Sequence, residues 1–423
     1  MNYTHTTLPN GLRVVNVPLH DTRAVTVFVF AKVGSRHETR AINGASHFIE
    51  HLMFKGTKKR PSTLDLSKLL DGVGANYNAF TSKDWTGYFV KADASHLGLA
   101  LDVVSDMLQH SLFDPKEIER ERGVIVEEIK MYDENPVMAI ENLFESIVFG
   151  KHHPLGWDIA GPAKVITSVS RQSLISYRDR YYHAGNMLVV VAGRLPSDIN
   201  RRVEKFFGRL PRRSRTPLAK PYTAKDAFPI ALLKKDLEQV QVGLGVRSYS
   251  YTDRRIAALN VLSVILGGNM SSRLFIQVRE RRGLAYSVSS SSNPYEDTGA
   301  FMIHAGLEKS RLDEALKVIV AELKRLKKTR VAGPELARAK EFLRGKMILN
   351  IEDSENLASW YGRQGLFAKK IETPDQAMAK IAAVTAADVQ RVAKHLFRPS
   401  MMRLAVIGPF EDRRHWLPIL KQV

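Results

Sequence analysis

Two histidines and a glutamate in the run Gly44-Ala-Ser-His47-Phe-Ile-Glu50-His51-Leu-Met-Phe-Lys-Gly56 carry the most specific chemistry in the chain. On a helix, residues three and four apart share a face, so His47, Glu50 and His51 converge. Ser46 stands where it can cap the helix that follows. Two imidazoles four residues apart can hold one divalent cation, and a carboxylate in the same row can take a proton from a water that the cation activates. This is the inverse order of the better-known zinc helix, assembled from the same parts. The chemistry implied is metal-assisted hydrolysis. The competing reading is a pair of histidines satisfied beside an apolar core.

A catalytic zinc keeps three protein ligands and an open position, so a third ligand must come from elsewhere. The segment Glu121-Arg-Gly-Val-Ile-Val-Glu127-Glu128-Ile-Lys-Met-Tyr offers candidates. Glu121 and Glu128 lie seven apart, two turns along one helix face, beside apolar Val124, Ile125 and Ile129. A carboxylate set into such a face needs a partner, because burying it alone is costly, and a cation supplies one. Glu117, Glu119 and Glu127 read instead as a solvated face.

The elements that must position these groups occur twice. Alternating Val25, Val27 and Val29 read as a strand, followed by a helix around Ala45–Phe54. Val240, Val242 and Leu244 repeat the pattern, followed by a helix around Ile256–Leu266. Leu97–Leu108 answers Leu312–Leu326. Asp114-Pro-Lys-Glu-Ile-Glu-Arg answers Gly333-Pro-Glu-Leu-Ala-Arg, each with proline at the start of a helix and Asp114 as a cap with Glu117 three residues on. The offset is about 218 residues. Each half closes on an apolar strand, Met187–Ala192 and Met402–Ile407, and Leu8-Pro9-Asn10-Gly11 reads as the turn of an opening hairpin. The fold expected is α+β, two homologous halves, each an antiparallel sheet with helices packed on one side. The expected domains are a catalytic zinc-binding half at 1–212, a linker at 213–228 rich in proline and basic residues, and a degenerate half at 229–423. In that second copy Ile265, Gly268, Asn269 and Lys346 fall opposite His47, Glu50, His51 and Glu128, and none can replace a ligand.

The chain has 423 residues, 44% apolar and 25% charged, and no cysteine. Disulfide scaffolds, thiolate-ligated metals and a cysteine nucleophile are excluded. Lysine and arginine outnumber acids 63 to 44, a net charge of +19. Residues 1–212 hold 27 basic and 23 acidic groups, 27 − 23 = +4, and residues 213–423 hold 36 and 21, 36 − 21 = +15. No basic-aromatic stripe accompanies the excess, so nucleic acid is not the expected partner. No apolar run approaches the ~18 residues of a membrane span. The opening residues have no basic region followed by an apolar one and no transit-peptide bias, so the expected location is the cytoplasm. Lys324-Arg-Leu-Lys-Lys-Thr-Arg reads as a helix end, and His152 and His153 as fold residues.

With its His47–His51 motif, Glu121-Arg…Glu127-Glu128, Leu8-Pro-Asn-Gly, His153-Pro-Leu-Gly, Asn186-Met-Leu-Val-Val-Val-Ala-Gly and Gly267-Gly-Asn-Met-Ser-Ser-Arg-Leu-Phe, the sequence resembles the M16 metallopeptidases over nearly its whole length. These are the inverzincins, which include the mitochondrial processing peptidase, pitrilysin and insulin-degrading enzyme, and the shorter bacterial processing proteases resemble the chain most. The resemblance implies the LuxS/MPP-like metallohydrolase fold and one Zn2+ per chain, ligated by His47, His51 and Glu128, with the distal ligand on Glu128 and not on Glu127. It makes Glu50 the general base and Glu121 a supporting acid. It places a substrate-contacting arginine and tyrosine at Arg279 and Tyr286, with Arg281 and Arg282 as neighbours that could compete. It makes Asn78, Ala79 and Phe80 an edge strand to which a peptide adds. The function implied is a zinc-dependent endopeptidase acting on peptides or unfolded segments in a closed chamber, built by a homodimer or by a heterodimer with a related chain. The rival readings are a non-catalytic core subunit of the same fold, as in the respiratory bc1 complex, and a basic nucleic-acid-binding protein.

Overall fold

The computed structural model describes residues 2–217 and 228–423, so most of the expected 213–228 linker lies outside the described residues. The chain forms two compact units, and neither is one unbroken stretch. The first comprises Met1–Lys130, Asp158–Lys220 and Ile348–Asp375; the second comprises Met131–Trp157, Pro221–Met347 and Gln376–Val423. Relative to a division into 1–212 and 229–423, residues 131–157 join the second unit and residues 348–375 join the first.

The first unit is built on β1 (Thr4–Thr7), β2 (Arg13–Pro18), β3 (Ala24–Ala31), β4 (Asn76–Thr81), β5 (Thr86–Asp93) and β6 (Met187–Gly193), in the order β1-β2-β6-β3-β5-β4. The second is built on β7 (Ile230–Lys234), β8 (Gln239–Ser248), β9 (Ala285–Pro294), β10 (Gly299–Glu308) and β11 (Arg403–Gly408), in the order β7-β11-β8-β10-β9. Both sheets are antiparallel except for one parallel pair each, β2 with β6 and β7 with β11. Strand by strand, the second order matches the first without β1, so the repeat in sequence is a repeat of topology. β1 and β2 form the opening hairpin, with Thr7 opposite Arg13.

Alternation along β3 explains the layers. Val25, Val27 and Val29 are fully buried in one cluster with Phe48 and Ile49 of the helix Ala45–Met53 and with Leu101 and Val104 of the helix Leu97–His110. Each such aliphatic side chain contributes about 1.5–3 kcal/mol by leaving water. The other face of β3 presents Thr26, Phe28 and Phe30, which are buried as well. A sheet buried on both faces needs two covers. Beyond the helical layer on one side, the helix Ser354–Phe367 covers this second face. The Thr26 and Ser354 hydroxyls meet at 2.8 Å, and a Cβ on Gly362 would stand 2.1 Å from the Phe30 ring. Only glycine lets the helix come that close.

The second sheet is covered in the same way by the helix Pro136–Val148, whose Ile140 and Phe144 cluster with Ala300, Met302, Ala405 and Ile407. These two covering helices are equivalents at the repeat offset, since 354 − 136 = 218. Each unit therefore completes its sheet with a helix from the other half of the sequence.

Candidate metal centre

The helix Ala45–Met53 sinks Phe48, Ile49, Leu52 and Met53 into the first core. Burying that stripe turns His47, Glu50 and His51 to the opposite one. The helix starts at Gly44, whose φ of 100° lies in the left-handed region and whose missing Cβ leaves room for the Ala160 carbonyl. Ser46 does not cap it. The cap is Glu38, 4% exposed, whose carboxylate accepts from the Gly44 N–H and the Ser46 N–H at 2.7 Å each and from the Asn43 amide at 3.0 Å. Ser46 lies one position inside the helix, and its hydroxyl meets the Tyr177 hydroxyl at 3.0 Å. A carboxylate in reach of two free N–H groups displaces a serine from that task, because it satisfies both and faces the positive end of the helix dipole. Burial pushes the Glu38 carboxyl up to about 6, against the pull of these hydrogen bonds.

The second contributor is the helix Pro115–Glu134, which opens with Lys116 N–H donating to Asp114 Oδ1 at 2.7 Å. Ile118, Glu121 and Ile125 form its buried stripe, and Glu128 is the next position on it. Glu119 and Glu127 are 71% and 72% exposed and pair with Arg122 and Lys130, a solvated face. Arg122 fastens the helix by donating to the carbonyls of Ile166 and Val169.

Where the two helices meet, His47, His51 and Glu128 form the one group of possible metal-ligating side chains among the described residues, their ligand atoms all within 4.8 Å of one another. The two Nε2 atoms are 3.2 Å apart, and Glu128 Oε2 lies 3.6 Å from that of His47 and 3.5 Å from that of His51. Donors bound about 2.0–2.2 Å from a tetrahedral zinc stand roughly 3.3–3.5 Å from each other. The triangle therefore fits zinc in size, and two imidazoles with one carboxylate fit it in chemistry. His51 Nδ1 faces Glu121 Oε2 at 3.1 Å, which assigns its N–H to that side and leaves Nε2 to face the triangle.

The electrostatics are those of groups held together out of water. Burial and the neighbouring His51 lower His47 to about 4. Burial would lower His51 too, but hydrogen bonds to Glu121 and Glu128 outweigh it and raise the ring to about 9. Burial raises Glu50 above the usual carboxylate range, opposed by a hydrogen bond from Thr81. Glu121 is held below that range: burial would raise it, and the contacts to His51 and Lys55 prevail.

Three residues around the cluster carry contacts that the sequence reading assigned to none of them. Glu38 caps the motif helix, as above. The Thr81 hydroxyl donates to Glu50 Oε2 at 2.6 Å. Lys55 Nζ meets Glu121 Oε1 at 2.7 Å. The available signals were weak: a glutamate six residues before the helix, a threonine ending a β-prone run, and a lysine four after a histidine.

Asn78, Ala79 and Phe80 lie in β4, the edge strand of the first sheet, and β4 ends at Thr81. Asn78 Oδ1 accepts from the Ala79 N–H at 2.8 Å. Arg279 and Tyr286 belong to the second unit and meet each other there. The Arg279 guanidinium lies 5.7 Å from the Tyr286 ring centre and 4.9 Å from that of Phe275, and Tyr286 is 74% exposed. His153 uses Nδ1 to accept from the Leu155 N–H, a turn contact.

Comparison with known proteins agrees with these features. Residues 13–163 match the family model described as insulinase (peptidase family M16), and residues 168–343 match the one described as peptidase M16 inactive domain. The chain is 38% identical to an uncharacterized zinc protease of Streptomyces coelicolor, over 97% of its own length and 90% of the relative's. It is 37% identical to the uncharacterized zinc protease YmxG of Bacillus subtilis, over 95% and 97%. A protease from Helicobacter pylori has the same fold at a TM-score of 0.90 and 27% identity, covering 96% of this chain and 99% of that one. A chain of Complex III2 from Candida albicans matches at a TM-score of 0.85 and 15% identity over 99% of each, a likeness of fold alone. Identity at this level over nearly the full length, together with both family models, establishes that the chain belongs to peptidase family M16.

Proposed function

We propose that this M16 zinc-protease-like protein is a zinc-dependent endopeptidase that hydrolyses peptides or unfolded segments. The convergence of His47, His51 and Glu128 beside Glu50 is the observation that carries the reading. A zinc ion held by those three would supply an activated water and polarise the scissile carbonyl. Glu50 is the general base. Its half-buried carboxylate, anchored by the Thr81 hydroxyl, accepts the proton from the attacking water and hands it to the leaving amine. Glu121 orients His51, and Glu38 fixes the start of the helix that carries both histidines.

β4 supports the choice of substrate. An extended peptide adds to a free strand edge through main-chain hydrogen bonds, which gives affinity with little sequence preference. The strand that would receive it ends at Thr81, the residue that holds the base. Chelation should abolish cleavage of an unstructured peptide, and one equivalent of zinc should restore it. Cleavage indifferent to chelation would overturn the reading. The non-catalytic core-subunit reading has the fold likeness to the Complex III2 chain behind it, but a scaffold has no need of a complete ligand set.

From the family resemblance we also propose that two chains pair, with Arg279 and Tyr286 of one serving the zinc of the other. A guanidinium and a phenol are suitable donors to a developing oxyanion. Mixing Glu50→Gln with Tyr286→Phe chains should then restore activity above either variant alone, and no restoration in a verified mixed dimer would contradict the pairing.

A further inference from the structure

Lys55 stands four residues after His51, just past the end of the motif helix. Its ammonium meets Glu121 Oε1 at 2.7 Å, and the other oxygen of that carboxylate, Oε2, meets His51 Nδ1 at 3.1 Å. Glu121 thus commits one oxygen to each neighbour. Its side chain is only 2% exposed, while Lys55 is 25% exposed. A surface ion pair would matter little, since water replaces either partner. This one differs because removing the lysine leaves a buried carboxylate with one oxygen unsatisfied. Such a group turns to find another donor, and the turn takes the opposite oxygen away from the imidazole.

We infer that Lys55 is a positioning residue of the cation site, acting through Glu121 to hold His51 with Nδ1 as donor and Nε2 turned to His47 and Glu128. The inference rests on the reading of His47, His51 and Glu128 as zinc ligands. Lys55 touches neither ligand atoms nor substrate in this role. It fixes the plane of a carboxylate, and the carboxylate fixes a ring. Outer contacts of this kind change metal affinity by about 10–100-fold when removed.

The test is zinc affinity of the full chain, measured by competition with a chromophoric chelator, beside a thermal melt of each variant. Lys55→Met should bind zinc about tenfold more weakly than wild type. Glu121→Gln should lose at least as much, and the double variant should be no weaker than Glu121→Gln alone, because both changes break one relay. A merely structural lysine would instead lower the melting temperature and leave the affinity ratio intact. Should Lys55→Met fail to fold, Lys55→Ala decides, since it also removes the donor to Glu121: a several-fold loss supports the relay. Wild-type affinity in either folded variant, or losses that multiply in the double variant, would overturn it. A wild type that takes up no zinc overturns the ligand reading itself, and the relay with it.

Discussion

The Thr81 hydroxyl donates to the Glu50 carboxylate at 2.6 Å, so the last residue of the edge strand β4 holds the group read as the base. Thr81→Val keeps the shape and removes the donor. Hydrogen bonds to charged groups contribute about 1.5–3 kcal/mol, so kcat on an unstructured peptide should fall at least about tenfold. KM and zinc content should stay near wild type, and Thr81→Ser should recover most of the loss. Steady-state kinetics on the three proteins check this.

Zinc uptake should depend on pH through His51. Its pKa is raised to about 9 and that of His47 lowered to about 4, so at pH 7 the pair carries one positive charge, on His51. A ligating imidazole must be neutral, and lowering the pH below 9 strengthens the proton's competition with the metal. Binding at pH 7 should release about one proton, and affinity should rise about tenfold per pH unit from 6 to 8. Titration calorimetry in two buffers of different ionisation enthalpy gives the count.

Glu38→Gln should destabilise the first unit. The amide keeps one acceptor oxygen but turns an N–H toward the free N–H groups of Gly44 and Ser46. An unsatisfied buried donor costs about 1–3 kcal/mol. Urea unfolding should register the loss, and zinc affinity should fall with it, because Ser46 precedes His47, one of the proposed ligands.

Gly362→Ala should also destabilise, for a different reason. Its Cβ would stand 2.1 Å from the Phe30 ring, which is fully buried and has nowhere to turn. Overpacking of this kind costs about 1–3 kcal/mol. A substitution at exposed Gly333, where a Cβ meets nothing within 4 Å, is the matched control.

The cluster of His47, His51 and Glu128 was legible in part from spacing, which puts His47, Glu50 and His51 on one helix stripe and Glu121 and Glu128 on another, while the choice of Glu128 came from the family resemblance. The repeat was legible from spacing too, as periodic patterns recurring at one offset. The exchange of Pro136–Val148 and Ser354–Phe367 was not, since periodicity shows that a helix has an apolar face but not which sheet it covers. Ser46 misled because a serine before a helix is a good cap in general, and only the fold reveals that Glu38 is closer to the free N–H groups. Lys55 and Thr81 are ordinary polar residues in sequence. Their importance comes from contacts with Glu121 and Glu50, the first of them across 66 positions, 121 − 55 = 66.

The most direct measurement pairs metal content with cleavage for wild type and Glu50→Gln. The account predicts one zinc bound by each, and peptide hydrolysis by wild type that falls about 10²–10⁴-fold in the variant, the share a positioned base supplies. A wild type without stoichiometric metal, or a zinc-loaded Glu50→Gln that cleaves as fast as wild type, would contradict it.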